Sequence, residues 1–152
     1  MIKKYKDHLS LSITLDGNKE LHDACRKFPS GEGSYDKVIA AIRHYKDYWH
    51  GFMGSKVTFS PANIMYAGSA IINLIEEGYT EIHANCVFEK GWEYSDGTIF
   101  YNEMKKIADY ILDNNLEYKV NISLFVENFF KPLGRDNTQN WCWGAGTPIL
   151  TD

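Results

Sequence analysis

Residues 56–88, KVTFSPANIMYAGSAIINLIEEGYTEIHANCVF, decide the fold. Lys56-Val57-Thr58-Phe59 reads as a short strand. Ser60-Pro61 follows, a hydroxyl at a cap position and a proline at the first helical position, and the pair predicts a helix start. Ile64, Gly68, Ile71, Ile72 and Ile75 form the stripe that this helix buries, and Gly78 stops it. From Thr80 to Phe88 the period returns to two: Ile82, Ala84, Cys86 and Phe88 share one face, His83 and Asn85 the other. Strand, helix and strand in this order make a βαβ unit, whose strands run parallel with a right-handed crossover.

The same alternation extends both ways. Upstream, Leu9 to Leu15 alternates with period two and stops at the Asp16-Gly17 turn. Asn18 is placed to cap a short helix from Lys19 to Cys25. Phe28-Pro29-Ser30-Gly31-Glu32-Gly33 is a loop. Ser34 then caps a helix whose apolar face is Val38, Ile42, Tyr45 and Trp49, ending at Gly51 and Gly54. Downstream, Thr98 to Asn114 predicts a long helix with Met104, Ile107, Ala108 and Ile111 on one face. Tyr118 to Val126 predicts a fourth strand, and after Phe130 the pattern gives way to an irregular, Cys- and Trp-rich tail. The fold class is therefore α/β, with about four parallel strands and helices on the outer face. A small open sheet and an arc of a (βα) barrel both fit this order.

Composition narrows the function classes. The chain has 152 residues, 44% of them hydrophobic and 24% charged, enough to bury the core of one domain. Sixteen basic and twenty acidic residues give a net charge of −4, which speaks against nucleic acid or an anionic membrane as the main partner. No apolar run reaches the length of a membrane span, and the amino-terminal residues do not read as a signal peptide. Cys25, Cys86 and Cys142 are odd in number and widely spaced, so a disulfide framework is not expected and a reducing cytoplasm is the default compartment.

In parallel α/β folds, ligands sit at the carboxyl ends of the strands. Those ends carry Thr14-Leu15-Asp16-Gly17, Phe59-Ser60, Asn85 to Glu89, and Glu127-Asn128. Gly31-Glu32-Gly33 follows no strand, so a dinucleotide fingerprint is weak.

At these ends the sequence resembles a known family. Thr14-Leu15-Asp16-Gly17-Asn18, followed by His22-Asp23 and Arg26, resembles the S-L/I-D-G…H-D-x-x-R signature of radical S-adenosylmethionine (radical SAM) enzymes, in the peptide and protein maturase branch with a SPASM extension that includes the anaerobic sulfatase maturases. Phe28 to Asp36 is similar to the loop and helix start that follow there, and Ser60-Pro61-Ala62-Asn63 is similar to the family's S-P-x-N corner. Ile82 to Trp92 resembles the sixth barrel strand, and Trp141-Cys142-Trp143 the first cysteine of the SPASM region. The family's C-x-x-x-C-x-x-C cluster loop does not occur in these residues. The resemblance implies that residues 1–130 are the C-terminal half of a radical SAM barrel and residues 131–152 the start of an auxiliary-cluster region. The parent would cleave S-adenosylmethionine at a [4Fe–4S] cluster and use the 5′-deoxyadenosyl radical to abstract hydrogen from a peptide residue, and the chain alone would bind neither group and be inactive. It also implies cofactor contacts for Thr14, Asp16, Arg26 and Ser60, peptide contacts for His83 and Asn85, a catalytic role for Glu89 beside the reacting side chain, and cluster ligation for Cys142.

Each of these residues has a plainer reading. Thr14 suits a strand as a β-branched residue, Asp16-Gly17 is turn chemistry, Arg26 is a surface charge, and Glu89 is a solvated carboxylate beside Lys90. His22 and Asp23 are adjacent on a helix and point to different sides, so they are not a catalytic pair. Two rival functions remain. One is a non-catalytic binding or assembly module that forms a homo-oligomer through exposed strand edges. The other is a metal-dependent hydrolase using His22, His83 and Glu89, whose spacing matches no ligand motif.

Overall fold

The computed structural model describes residues 12–48, 53–87 and 91–126. Among them, three strands form one parallel sheet in the order β1 (Gly54–Phe59), β2 (Glu81–Cys86), β3 (Asn121–Ile122). The described residues also form four α-helices: α1 (Lys19–Cys25), α2 (Tyr35–Lys46), α3 (Ala67–Glu76) and α4 (Tyr94–Asp113). The class is mixed α/β with parallel strands, as the alternation predicts.

The period-two pattern of β1 and β2 sorts their side chains. Val57, Phe59, Ile82, Ala84 and Ile122 are buried and join Ile42, Ile71, Leu74 and Ile107 of the helices in one core. On the opposite face Lys56, Thr58 and His83 are exposed and Asn85 is half-buried. The ladder pairs Lys56 with His83 and Thr58 with Asn85, so the open face carries a polar two-by-two block. None of the helices in the described residues is long and apolar enough to cross a membrane.

Local chemistry explains where elements start. The Asn18 side chain caps α1 by accepting from Leu21 N–H at 3.1 Å, as expected. The long helix α4 begins earlier than Thr98 because Glu93 and Asp96 close a capping box around its first turn. Ser34 occupies the N-cap of α2 but makes no cap bond, since its hydroxyl donates to Arg26 O instead. Ser60 does not start a helix directly. The Asn63 side chain accepts its backbone N–H at 2.7 Å, a turn intervenes, and a 3-10 turn (Ile64–Tyr66) leads into α3.

Helices α3 and α4 meet closely at Gly68. The buried Glu103 carboxylate of α4 accepts the Gly68 N–H at 2.9 Å, in the first turn of α3. A Cβ at position 68 would lie 2.7 Å from that carboxylate oxygen, so only glycine allows the contact.

Two expected strands are shorter than their patterns. Of the first, Leu9 to Leu11 lie outside the described residues, and the remainder makes a single parallel bridge, Ser12 to Gly54. The physical reason is a side chain. The Ser55 hydroxyl, buried on β1, donates to Leu15 O and accepts from Leu15 N–H, both at 3.0 Å, in place of a backbone ladder. Of the fourth, only Asn121–Ile122 pairs, and Ser123–Phe125 turns into 3-10 helix. There the Ser123 hydroxyl donates to Ala84 O and accepts from Ala84 N–H, both at 2.9 Å, which ends the ladder. The irregular tail after Phe130 lies outside the described residues.

Replacing Ser55 by alanine leaves two buried backbone groups of Leu15 without a partner. At about 1–3 kcal/mol for each group, the expected loss is about 2–6 kcal/mol of unfolding free energy, read from urea denaturation midpoints at unchanged slope.

Candidate functional site

Leu15 is fully buried, held by Ser55. Its neighbours Thr14 and Asp16 therefore fall on the opposite side of the extended segment. Both line a cleft of about 380 Å³. Arg26 and Cys25 from the end of α1, Lys56 and Thr58 from the open face of β1, and Asn63 from the following turn complete its lining.

The chain behind Asp16 is clamped in place. Gly17 adopts φ +104°, and a Cβ there would lie 2.4 Å from the Cβ of Ala70 on α3. Only glycine fits both the conformation and the space. The turn therefore rests directly on the helix.

Asp16 holds Arg26. Its carboxylate accepts from Arg26 Nε and, at 3.4 Å, from Nη2. That hydrogen bond is the main reason the guanidinium is held even more firmly protonated than usual. Lys56 adds a second cation to the lining.

His22 sits beneath this pair with 0% exposure. Its Nδ1 accepts the Asp16 N–H at 3.2 Å, so Nδ1 carries no proton. Its Nε2 lies 2.9 Å from Ser34 Oγ. That hydroxyl already donates to Arg26 O at 3.0 Å, so Nε2 is the donor. Both nitrogens of a neutral ring are satisfied. Burial is the largest influence on His22 and pushes its pKa below the usual 6.5; Asp16 opposes this, Arg26 adds to it, and Asp23 opposes it. Asp23 points elsewhere and accepts the Tyr35 N–H at 2.8 Å, fastening α1 to α2.

A scan against protein-family models gives no match, and no curated protein matches the sequence.

Of the residues singled out in the sequence, the structure brings Thr14, Asp16 and Arg26 together in the cleft. Ser60 does not line it; its N–H positions Asn63, which does. His83 and Asn85 stand on the neighbouring strand, in register with Lys56 and Thr58 on the same open face. Glu89 and Cys142 lie outside the described residues. Sequence reasoning missed Lys56 and Thr58 as lining residues. The signal was there, since the alternation that buries Val57 and Phe59 turns both of them the other way.

Of the three donors a metal-dependent hydrolase would use, Glu89 lies outside the described residues. His22 spends both nitrogens inside the fold, and no group of three or more His, Cys, Asp or Glu among the described residues could hold a metal.

The neutral state of His22 sets a pH dependence. The unfolded state takes up a proton near pH 6.5 and the folded state only at lower pH, so unfolded chains bind more protons in that window. Stability is full above pH 6.5 and falls as the pH drops below it, by at most about 1.4 kcal/mol per pH unit for this one group. Urea titrations between pH 7.5 and 5 are expected to show that slope, and His22→Gln to be less stable at pH 7.5 but to lack the histidine's share of the slope.

Proposed function

We propose that this chain is the cofactor- and peptide-lining half of a radical SAM peptide maturase barrel working in a reducing cytoplasm, and that its cleft holds S-adenosylmethionine even in the chain alone, where the sequence reading expects no binding, because Arg26, Lys56 and two threonine hydroxyls already converge there. The observation that carries the reading is the convergence of Thr14, Asp16 and Arg26 on one cleft beside the open face of a parallel sheet. The donor set suits the cofactor's polar parts. Arg26 and Lys56 are the cations for an amino-acid carboxylate, and the Thr14 and Thr58 hydroxyls are the partners for ribose oxygens. Asp16 acts as a positioning residue, since its carboxylate is spent on Arg26. Ser60 acts through Asn63. When bound, S-adenosylmethionine supplies the adenosyl group and the sulfonium from which radical chemistry of this class starts.

His83 and Asn85 extend the polar face away from the cleft along β2 and offer hydrogen bonds to an extended peptide. Glu89 follows β2 in sequence, and its role beside the reacting side chain belongs to the same proposal.

The [4Fe–4S] cluster does not fit the described residues. It needs three or four thiolates at one place. Cys25 is exposed on the cleft, whereas Cys86 is half-buried against the core, where burial pushes its thiol pKa up and disfavours the thiolate. The cluster loop would thus be supplied by sequence other than these residues, and no step through it is derived.

Equilibrium dialysis of the full chain with radiolabelled S-adenosylmethionine tests the cofactor reading. Saturable binding is expected, weakened at least about tenfold by Arg26→Gln, the loss of one charge-assisted contact. Absence of saturable binding up to millimolar cofactor, or equal binding by the variant, overturns it.

A further inference from the structure

Four hydrogen bonds beneath the cleft close into a ring. The Asp16 N–H donates to His22 Nδ1 at 3.2 Å, and His22 Nε2–H donates to Ser34 Oγ at 2.9 Å. The Ser34 hydroxyl donates to Arg26 O at 3.0 Å, and Arg26 Nε–H returns to the Asp16 carboxylate. Each residue donates to the next, so all four bonds run in one sense. A backbone N–H and a guanidinium can only donate, which leaves the histidine and the serine a single arrangement of protons. In such a closed chain each bond polarises its neighbour. The ring is also shielded from water, since His22 is fully buried and the Tyr35 ring stands edge-on to it at 5.9 Å.

We propose that this ring positions the Arg26 guanidinium for the carboxylate of the bound ligand, and that His22 and Ser34, neither of which lines the cleft, are positioning residues for binding. The hold is two-ended. Asp16 grips the guanidinium, while Ser34 grips the Arg26 carbonyl, and His22 joins the Asp16 backbone to Ser34. Asp16 engages the Nε and Nη2 edge of the fork, which leaves the Nη1 side for an incoming carboxylate. An arginine free in solution samples many rotamers, and ordering it before the ligand arrives removes that cost from binding. The ligand's identity rests on the cofactor reading; the ring itself does not.

Nuclear magnetic resonance and equilibrium dialysis on the full chain test it. In the free protein at pH 7.5, ¹⁵N shifts of His22 are expected to show a proton on Nε2 and none on Nδ1. The Arg26 Nε–H is expected to exchange with water at least about tenfold faster in Ser34→Ala and in His22→Gln than in the wild type, although neither change touches the guanidinium. Ser34→Thr keeps the hydroxyl and is expected to stay within about twofold of the wild type. In dialysis with radiolabelled S-adenosylmethionine, Ser34→Ala and His22→Gln are each expected to weaken binding at least about fivefold. The double variant is expected to bind no worse than the poorer single one, because one broken bond already opens the ring. A proton on His22 Nδ1, unchanged Arg26 Nε–H exchange in Ser34→Ala, a Ser34→Thr chain that behaves as Ser34→Ala, or losses that simply add in the double variant would each overturn the proposal. A wild-type chain that binds no S-adenosylmethionine would instead overturn the cofactor reading, while the exchange rates of the free protein still decide the ring.

Discussion

Ser55 Oγ is the contact on which the cleft depends. A parallel sheet ordinarily grows by backbone pairing, but here the segment before α1 is attached to β1 through one buried hydroxyl that serves both the N–H and the C=O of Leu15. The two groups are buried and have to be satisfied. Meeting both with a single side chain fixes the position of Leu15 along β1 and across it. Ser123 repeats the device on β2, bonding both backbone groups of Ala84. Backbone pairing thus covers the middle of the sheet, and serine side chains stitch the segments that flank it.

The rest of the site follows from that stitch. With Leu15 pinned inward, Asp16 is delivered to Arg26, and its N–H is delivered to His22 Nδ1. His22 must then stay neutral with its proton on Nε2, because Asp16 donates to one nitrogen and Ser34 accepts from the other. The loop between α1 and α2 is tied in by the same residues, since Ser34 also bonds the Arg26 carbonyl. Changing the charge of His22 would put a proton where the Asp16 N–H now donates. A histidine that titrates in function usually faces solvent or a partner; this one faces neither, and its part is to hold the orientation of the ion pair above it.

How far the sequence foretold this varies with range. Helix periodicity and caps are local, so α1, α2 and the stop of α3 at Gly78 were legible from Asn18, Ile42 and the glycine itself. Parallel pairing was legible from element order. The extent of pairing was not, because Leu9 to Leu15 and Tyr118 to Val126 look like uninterrupted strands and nothing in a period-two pattern reveals that a serine will replace the ladder. Glu103 is the same kind of surprise: a carboxylate one turn before Ile107 is buried, and a glycine on another helix offers it an N–H. The cleft was half legible. Thr14, Asp16 and Arg26 were found from their place at a strand end, whereas the role of Asn63 depends on a turn closed by Ser60 and that of His22 on a bond across six residues.

Two surfaces formed by the described residues differ in their chemistry. On the open sheet face, Lys56, Thr58, His83 and Asn85 keep their hydrogen bonds to solvent, so the face is stable uncovered and ready to exchange water for a polar ligand. The trough lined by Phe100, Met104, Ile111 and Leu124 along α4 has no such reserve, since each 100 Å² of apolar surface in contact with water forgoes about 2.5 kcal/mol. A surface that is cheap to leave bare suits a ligand that comes and goes. The charge balance points the same way. The chain as a whole is at −4, yet the cleft sets Arg26 and Lys56 against the single carboxylate of Asp16. Under the proposed function these two cations would meet the cofactor's carboxylate within the Debye length of about 8 Å in physiological salt. In that reading recognition would rest on short contacts with the guanidinium that Asp16 holds in place.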